Sequence, residues 1–421
     1  MSAEWNWERL GDYCLKIGSG STPTGGKDAY LEHGPFMLIR SQNIYNDGFK
    51  PGGLAFISNE QAKKLDGVAV DACDVLLNIT GDSVARVCLA LPQYLPARVN
   101  QHVAIIRPMP SIFDSRFVRY FLASDYQQDL MLGLAGAGAT RNALTKSMIE
   151  DFKVPCPPIG IQRGIADTLS ALDDRIALLR ETNATLEAIA QALFKSWFVD
   201  FDPVHAKQHG IAPEGMDDAT AALFPDSFEE SELGLVPRGW RVETLKQRCD
   251  ITSGKRPVDR SDVETQTFRI PLYGGAGVMG FTSESLCNVP KIVTGRVGTL
   301  GKVHIAYPPF WASDNVLVLS PANSQDFHFC LHWLNGIDVI SLNRGSTQPL
   351  LTQKDLGQQR HIAPTDKLLA TFADVMEPIY GKIRRHTEQA QTLATLRDTL
   401  LPRLISGKLR LPEAEAMLEE A

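Results

Sequence analysis

Leu172, Leu179, Leu186 and Leu193 recur every seven residues, and Ile176 and Ala190 stand four places after two of them. That spacing is the stripe of one long helix whose apolar seam lies against another helix. The chain supplies the partner itself. Sliding the sequence by 207 positions, the distance from Ile165 to Phe372, also lays Leu169 on Met376, Ile176 on Ile383, Leu186 on Leu393, Ile189 on Leu396 and Leu193 on Leu400. The same register carries GATRNALT at Gly138–Thr145 onto GSTQPLLT at Gly345–Thr352, and Pro157 onto Pro364. One register held through loop, boundary and helix marks an internal duplication, with each half closed by a long helix.

A chain of 421 residues exceeds one ordinary core and suits two domains plus connectors. No stretch approaches 18 consecutive apolar residues, and Met1–Leu10 has neither a basic start nor an apolar core. No membrane span or secretory signal is therefore expected, and the expected location is cytoplasmic. The seven cysteines are scattered and never form CxxC, which predicts reduced, mostly buried thiols rather than a disulfide framework or structural zinc. A net charge of -7 is unusual for a nucleic-acid binder, but it is unevenly distributed. Residues 205–236 hold one Lys against seven acidic residues, whereas residues 237–366 hold 14 basic and 11 acidic residues. The acidity is that of a linker, and a basic face on either large block remains open.

Read in order, residues 1–158 form a first mixed domain. FMLIRSQNI, DVLLNIT, VARVCLAL and HVAIIRP are β-branched and aliphatic runs of strand length, separated by GSGSTPTGG, NDGFKPGG and LPQYLPARVN. A helix containing Phe117 and Phe121 follows. Pro155–Pro158 then stop the domain, because proline cannot continue a strand ladder yet fits a helix's first turn. Residues 159–204 are the central helix and residues 205–236 a connector, partly ordered at LFPDSF. Residues 237–366 repeat the first domain, with ITSG answering IGSG and KIVTGRVGTLGKVHIA preceding a helix near Phe327–Leu334. Residues 367–421 are the second long helix and tail. Pro378 predicts a kink or a restart there, since interior proline costs about 3 kcal/mol.

Several motifs suggest chemistry and lack its context. Gly275, Gly277 and Gly280 form GxGxxG, but the following FTSESLCNVP has no helical period, so tight turns are expected instead of a dinucleotide site. YPPF at Tyr307–Phe310 resembles the [DNS]PP[YF] motif of amino-group methyltransferases, with tyrosine where the amine's acceptor belongs. His205 and His209 share HxxxH spacing within the acidic linker, and solvated histidines fit better than metal ligands. No convincing catalytic centre emerges, so the chain is read as non-enzymatic, with no catalytic and no metal residues.

The polar loops carry more information. Ser19, Ser21, Thr22 and Lys27 occupy the first glycine loop; Arg40, Ser41, Gln42 and Asn43 follow a strand; Asn100, Gln101 and His102 precede one; Arg141 and Asn142 sit in GATRNALT. The second half carries Ser253, Lys255 and Arg256, then Tyr273, Arg296, Asp314 and Asn315, and finally Arg344, Ser346, Thr347 and Gln348 at comparable places. Arg, Asn and Gln can make paired hydrogen bonds to guanine and adenine edges, while Lys, Ser and Thr suit phosphates. Polar residues also simply fill loops. Their recurrence at matched places in two domains favours DNA binding for the set.

FKSWFVDFDPV at Phe194–Val204, the linker GMDDATAALFPDSFEESELGLVPRGW, the loop GSTQPLL and the ending LRDTLLPRLISGKLRL together closely resemble the specificity subunit of bacterial type I restriction-modification systems. The resemblance runs the whole chain in its expected order. One departure is at the helix starts, where the family often has Glu-Gln and this chain has Ile161–Gln162 and Leu368–Leu369. The fold implied is α+β: two α/β target-recognition domains in pseudo-twofold arrangement, separated by two long antiparallel helices forming a coiled coil. Leu172, Ile176, Leu179, Asn183, Leu186 and Leu193 would pack this spacer against Ile383, Leu393 and Leu400, with Asn183 facing the partner helix.

The function implied is sequence-specific DNA recognition within a restriction system that methylates DNA and serves antiviral defence. One domain would read each half of a split site in double-stranded DNA. Two methyltransferase subunits and, through them, two motor-nuclease (restriction) subunits would dock; S-adenosylmethionine, ATP and Mg would bind those partners and not this chain. A helix over Ile165–Val199 would be roughly 52 Å long, about one and a half turns of DNA, and would act as a ruler between half-sites. The competing readings are a stand-alone DNA adenine methyltransferase and an orphan DNA-binding adapter.

Overall fold

Short β-branched runs, cut by Gly and Pro turns, build the sheets, and two uninterrupted helices receive them. The computed structural model describes residues 5–136 and 142–419. It divides into two units, Met1–Arg180 with Glu388–Ala421, and Glu181–Thr387.

The first unit has an antiparallel sheet in the order Cys14–Ser19, Val103–Pro108, Val75–Asn78, Val87–Leu89. Side chains alternate along it, as the two-residue strand period requires. Val75, Leu77, Ala104 and Ile106 join the core around the helix Ser115–Ala123, while Leu76, Val103 and Ile105 join the core of a second sheet. That second sheet runs Ala55–Ile57, Phe36–Ile39, Ala97–Val99, Ala69–Val70, with Phe36–Ile39 and Ala97–Val99 parallel.

The second unit repeats this plan. Its first sheet runs Cys249–Ser253, Val316–Pro321, Lys291–Gly295, Val303–Ala306, and its second runs Gly277–Thr282, Ile270–Gly274, Trp311–Ala312, the last two strands being parallel. The alternation recurs: Ile292, Leu317 and Leu319 face one core, and Val293, Val316 and Val318 the other.

The long helices are Ile159–Phe198 and Asp366–Ile405, 40 residues each and so roughly 60 Å long. The first begins directly after Pro158, whose carbonyl accepts from Ile161 and Gln162. Gln162 is buried there, accepting from the Asp114 amide and donating to the Ile112 and Pro157 carbonyls. The second helix runs through Pro378 without restarting, because Phe372 and Met376, shortly before it, are fully buried and their packing offsets the lost hydrogen bond. It stops at Gly407, whose positive φ of 72° suits the left-handed helix cap.

Within each unit the helices run antiparallel. Asp173 pairs with Arg397, and Ile176 and Leu179 meet Ala390 in the first; in the second, Phe194 lies 6.2 Å from Phe372.

The connector is more structured than its composition suggests. It holds the helix Asp202–Gln208, the turn Asp218–Ala221 and a hairpin of Phe228–Ser231 with Gly234–Pro237. Phe224 and Phe228 anchor it on Trp197, Phe201 and Trp240. GxGxxG forms a β-hairpin, Gly274 pairing with Gly277, whose φ of +120° excludes most side chains. His205 and His209 lie on and just after a helix, not in irregular chain, and both are exposed. Tyr307 of YPPF carries Arg384 above its ring at 4.5 Å. The cysteines are free, but only Cys88, Cys249 and Cys330 are buried; Cys73 is exposed and the other three are half-buried. Among the described residues no helix is long and apolar enough to cross a membrane, and no three His, Cys, Asp or Glu side chains gather as a metal site.

Candidate nucleic-acid interface

In both units the same backbone hydrogen bonds tie the polar loops together. The Gly20 amide donates to Val103, and Gly254 to Val316; the Asn100 amide donates to Ile39, and Ser313 to Tyr273. Ile79 donates to His102 and accepts from Leu144, as Arg296 donates to Asn315 and accepts from Leu351. This frame equates Asn100-Gln101-His102 with Ser313-Asp314-Asn315 and brings the Asn142 loop beside residues 79–81, as it brings the Leu350 loop beside Arg296 and Val297. It also explains why IGSG and ITSG recur. A Cβ on Gly20 would collide with the Val99 and Asn100 carbonyls, and one on Gly254 with those of Ala312 and Ser313.

The frame sorts the nominated side chains. Ser19, Ser21, Thr22, Lys27, Gln42, Gln101 and Asn142 are exposed in the first unit, as are Lys255, Arg256, Asp314, Asn315, Ser346, Thr347 and Gln348 in the second. Half-buried Arg40, Ser41, His102 and Arg296 line the same loops; His102 Nδ1 lies 2.5 Å from Thr80 Oγ1, and its Nε2 3.0 Å from Gln101.

Others have structural duties. Asn43 is fully buried and donates to the Lys50 and Gly52 carbonyls, while Asn100 caps the His102 amide. Arg344, though exposed, is held by Asp355 at 2.9 and 3.2 Å, and this pairing lowers the Asp355 carboxyl to about 2. Ser253 accepts from Gln353, and Tyr273 is half-buried against Phe310. Arg141 lies outside the described residues.

Loop 79–86 was missed in the sequence reading. It joins two strands, and buried Asn78 at its root donates to the Ser41 carbonyl and the Ser83 hydroxyl, tying it to the nominated loops. Its signal in the sequence is the polar stretch TGDS between apolar runs, at the place where the second unit has Arg296.

On the helices, Leu172, Ile176, Leu179 and Leu400 are buried, and Leu186, Leu193, Ile383 and Leu393 are half-buried. Asn183 faces the partner helix, donating to the Ile383 carbonyl and the Thr387 hydroxyl at 3.1 Å each, with His386 Nδ1 3.1 Å from its Oδ1. A cavity of about 730 Å³ lies elsewhere in the first unit, between Trp7, Tyr126 and Leu401, and touches none of the nominated loop residues.

Two copies of one frame, each presenting exposed Asn, Gln and Lys from loops on a sheet pair, define a recognition protein. The family described as Type I restriction modification DNA specificity domain matches residues 3–188 and 237–389, most of the chain, and the chain belongs to it. The type I restriction enzyme MjaIX specificity subunit of Methanocaldococcus jannaschii is 25% identical over 340 residues, covering 76% of this chain and 74% of the relative. The HindI specificity subunit of Haemophilus influenzae is 25% identical over 371 residues, covering 74% and 81%. The fold is that of the crystal structure of the S subunit of a type I restriction-modification system from M. genitalium, with TM-score 0.58 and 18% identity over 95% of this chain and 96% of that one. The chain is thus a non-catalytic, DNA-binding specificity subunit.

Proposed function

We propose that each unit reads one half of a split DNA target, and that the chain docks two methyltransferase subunits and, through them, two motor-nuclease subunits. The observation that carries this reading is the repeated loop frame: the same backbone bonds recur in both units, while the exposed side chains on them differ. Identical frames with different side chains suit two different half-sites. Gln42, Gln101 and Asn142 would meet base edges in the first unit, and Arg256, Asn315 and Gln348 in the second, with the serines, threonines and lysines beside them on phosphates.

The long helices would set the gap between half-sites and receive the methyltransferase subunits. S-adenosylmethionine, ATP and Mg would be bound by those partners, and the target adenine would be turned out of the duplex into the partner's pocket. The complex would work in the cytoplasm.

The experiment has two arms. Purified chain with labelled methyl donor and DNA is expected to transfer nothing until its methyltransferase partner is added; transfer by the chain alone would restore the stand-alone methyltransferase reading. Mapping methylated adenines in the host genome is expected to return a sequence interrupted by a gap of unspecified bases. A continuous motif would defeat the split-site reading.

A further inference from the structure

The first unit carries a hairpin that the second lacks. After Phe36–Ile39 and the turn Ser41–Asn43 the chain forms Ile44–Tyr45 and Gly48–Phe49, whereas Ile270–Gly274 passes directly into Gly277–Thr282. Next to its turn, paired with Gly48, stands half-buried Tyr45, and two cations sit over that one ring: Lys50 Nζ at 4.4 Å from the centroid and the Arg86 guanidinium at 4.7 Å. Arg86 makes no side-chain hydrogen bond or ion pair among the described residues. Lys50 has one counter-ion, Asp47 at 3.1 Å, which it shares with Arg180 at 3.8 Å. Lys50 and Arg180 thus share the Asp47 carboxylate, while Arg86, over the same ring as Lys50, has no carboxylate partner among the described residues.

The hairpin is held firmly. Asn46 accepts from the Val87 amide and donates to Gln128, and its carbonyl accepts from Arg119, which itself pairs with Asp173 on the first long helix. Such anchoring fixes the hairpin, and with it the Tyr45 ring, against the strand that follows Arg86, so the ring and its two cations are preorganised for an anion. Position supports the same ligand. Arg86 ends loop 79–86, whose root, Asn78, is bonded to Ser41 and Ser83, so the cation pair borders the nominated recognition loops. The second unit has Lys302 at the matching place, just before the strand Val303–Ala306.

We infer that Lys50 and Arg86, stacked on Tyr45, form a clamp for a DNA backbone phosphate, which fixes the first unit on the duplex without reading sequence. This rests on the DNA-binding function of the chain. A phosphodiester has a diffuse single charge and two anionic oxygens, which suits two cations on one ring; a base edge would need donors and acceptors together, and the ring face supplies none.

The test uses the full chain with its methyltransferase partner and measures binding to two duplexes, one carrying the mapped methylation target and one unrelated, across a salt series. The double variant Lys50→Gln/Arg86→Gln is expected to raise Kd by the same factor on both duplexes. It should also flatten the slope of log K against log salt by about 1 to 2, since each lost phosphate contact removes roughly one released counter-ion. The mapped methylation sequence should not change. A second variant guards against misfolding: Asp47→Asn keeps both cations, frees Lys50 from its internal partner, and is expected to tighten binding to both duplexes.

Unchanged Kd and slope in the double variant with an unaltered melting temperature would overturn the clamp, as would a loss confined to the target duplex or weaker binding by Asp47→Asn. Failure of the unmodified complex to bind either duplex would instead overturn the DNA-binding reading itself, and the clamp with it.

Discussion

The two units share a frame and close it onto the helices by different chemistry. Tyr120 stands in the helix Ser115–Ala123 where His332 stands in Phe327–Asn335, and Asp173 takes the place of Tyr380, which lies 207 residues on from it. In the first unit the Tyr120 hydroxyl donates to Asp173 at 2.7 Å, and Asp173 also holds Arg119 and Arg397. In the second, His332 pairs with the Tyr380 hydroxyl at 3.1 Å. Around these pairs the first unit packs aliphatic side chains, Ile165, Leu401 and Leu404. The second packs rings at the same places, Phe372 with Phe194, Trp197 and Phe198. One backbone plan thus accepts either an ion-paired or an aromatic junction, provided that the total volume is filled and each buried polar group is paired.

This contrast makes separable predictions. Phe372→Ala removes the ring that touches Phe194, Trp197, Phe198 and His332 and should destabilise the second unit by about 3–5 kcal/mol. Ile165→Ala, its counterpart, should cost the first unit less. Hydrogen exchange resolved by unit compares them, and an equal or larger loss for Ile165→Ala would break the distinction.

Asp173→Ala leaves Arg119 and Arg397 without their shared partner and should cost the first unit about 2–3 kcal/mol, measured by denaturant unfolding. If Asp173→Asn restores most of this, hydrogen bonding and not charge holds the junction.

Acid should act on the second unit. Burial lowers His332 and His361 to about 4, so both are neutral in the fold and take up protons more readily when it opens. Their contribution is fully present above the ordinary histidine value near 6.5 and is lost as pH falls through about 4. Each unit of pH in that window is worth about 1.4 kcal/mol per histidine, so pH 5 should weaken the second unit by about 2 kcal/mol or more. Exchange at Phe327–Asn335 should accelerate before that at Ser115–Ala123, and simultaneous acceleration would argue against a histidine-specific effect.

The helices were legible because their seam repeats every seven residues and the duplication aligns it with itself. The strands were legible as apolar runs, though FMLIRSQNI contains only four residues of strand before the turn at Ser41. Pro378 misled because local propensity counts the lost hydrogen bond and not the buried Phe372 and Met376 that hold the helix. The connector's order was hidden because its contacts join distant stretches of chain: Phe201 meets Phe228 directly, and Phe201 and Phe224 both meet Trp240. Among the loops, sequence singled out polar positions but not the local duties of their side chains. Asn43 and Gln42 look equally suited to a base edge, yet Asn43 is buried holding the backbone, while Gln42 is exposed and makes one bond, to the Gly53 carbonyl at 3.0 Å. The Tyr45, Lys50 and Arg86 group was invisible for the same reason, since its members come together only across the hairpin and loop 79–86.

The most direct test of the two-reader account exchanges residues 1–158 for the first domain of another specificity subunit and maps methylated adenines in cells carrying the hybrid. One half of the methylated sequence should change while the other half and the gap stay as they were. A change in both halves, or in neither, would contradict the claim that each unit reads its own half-site.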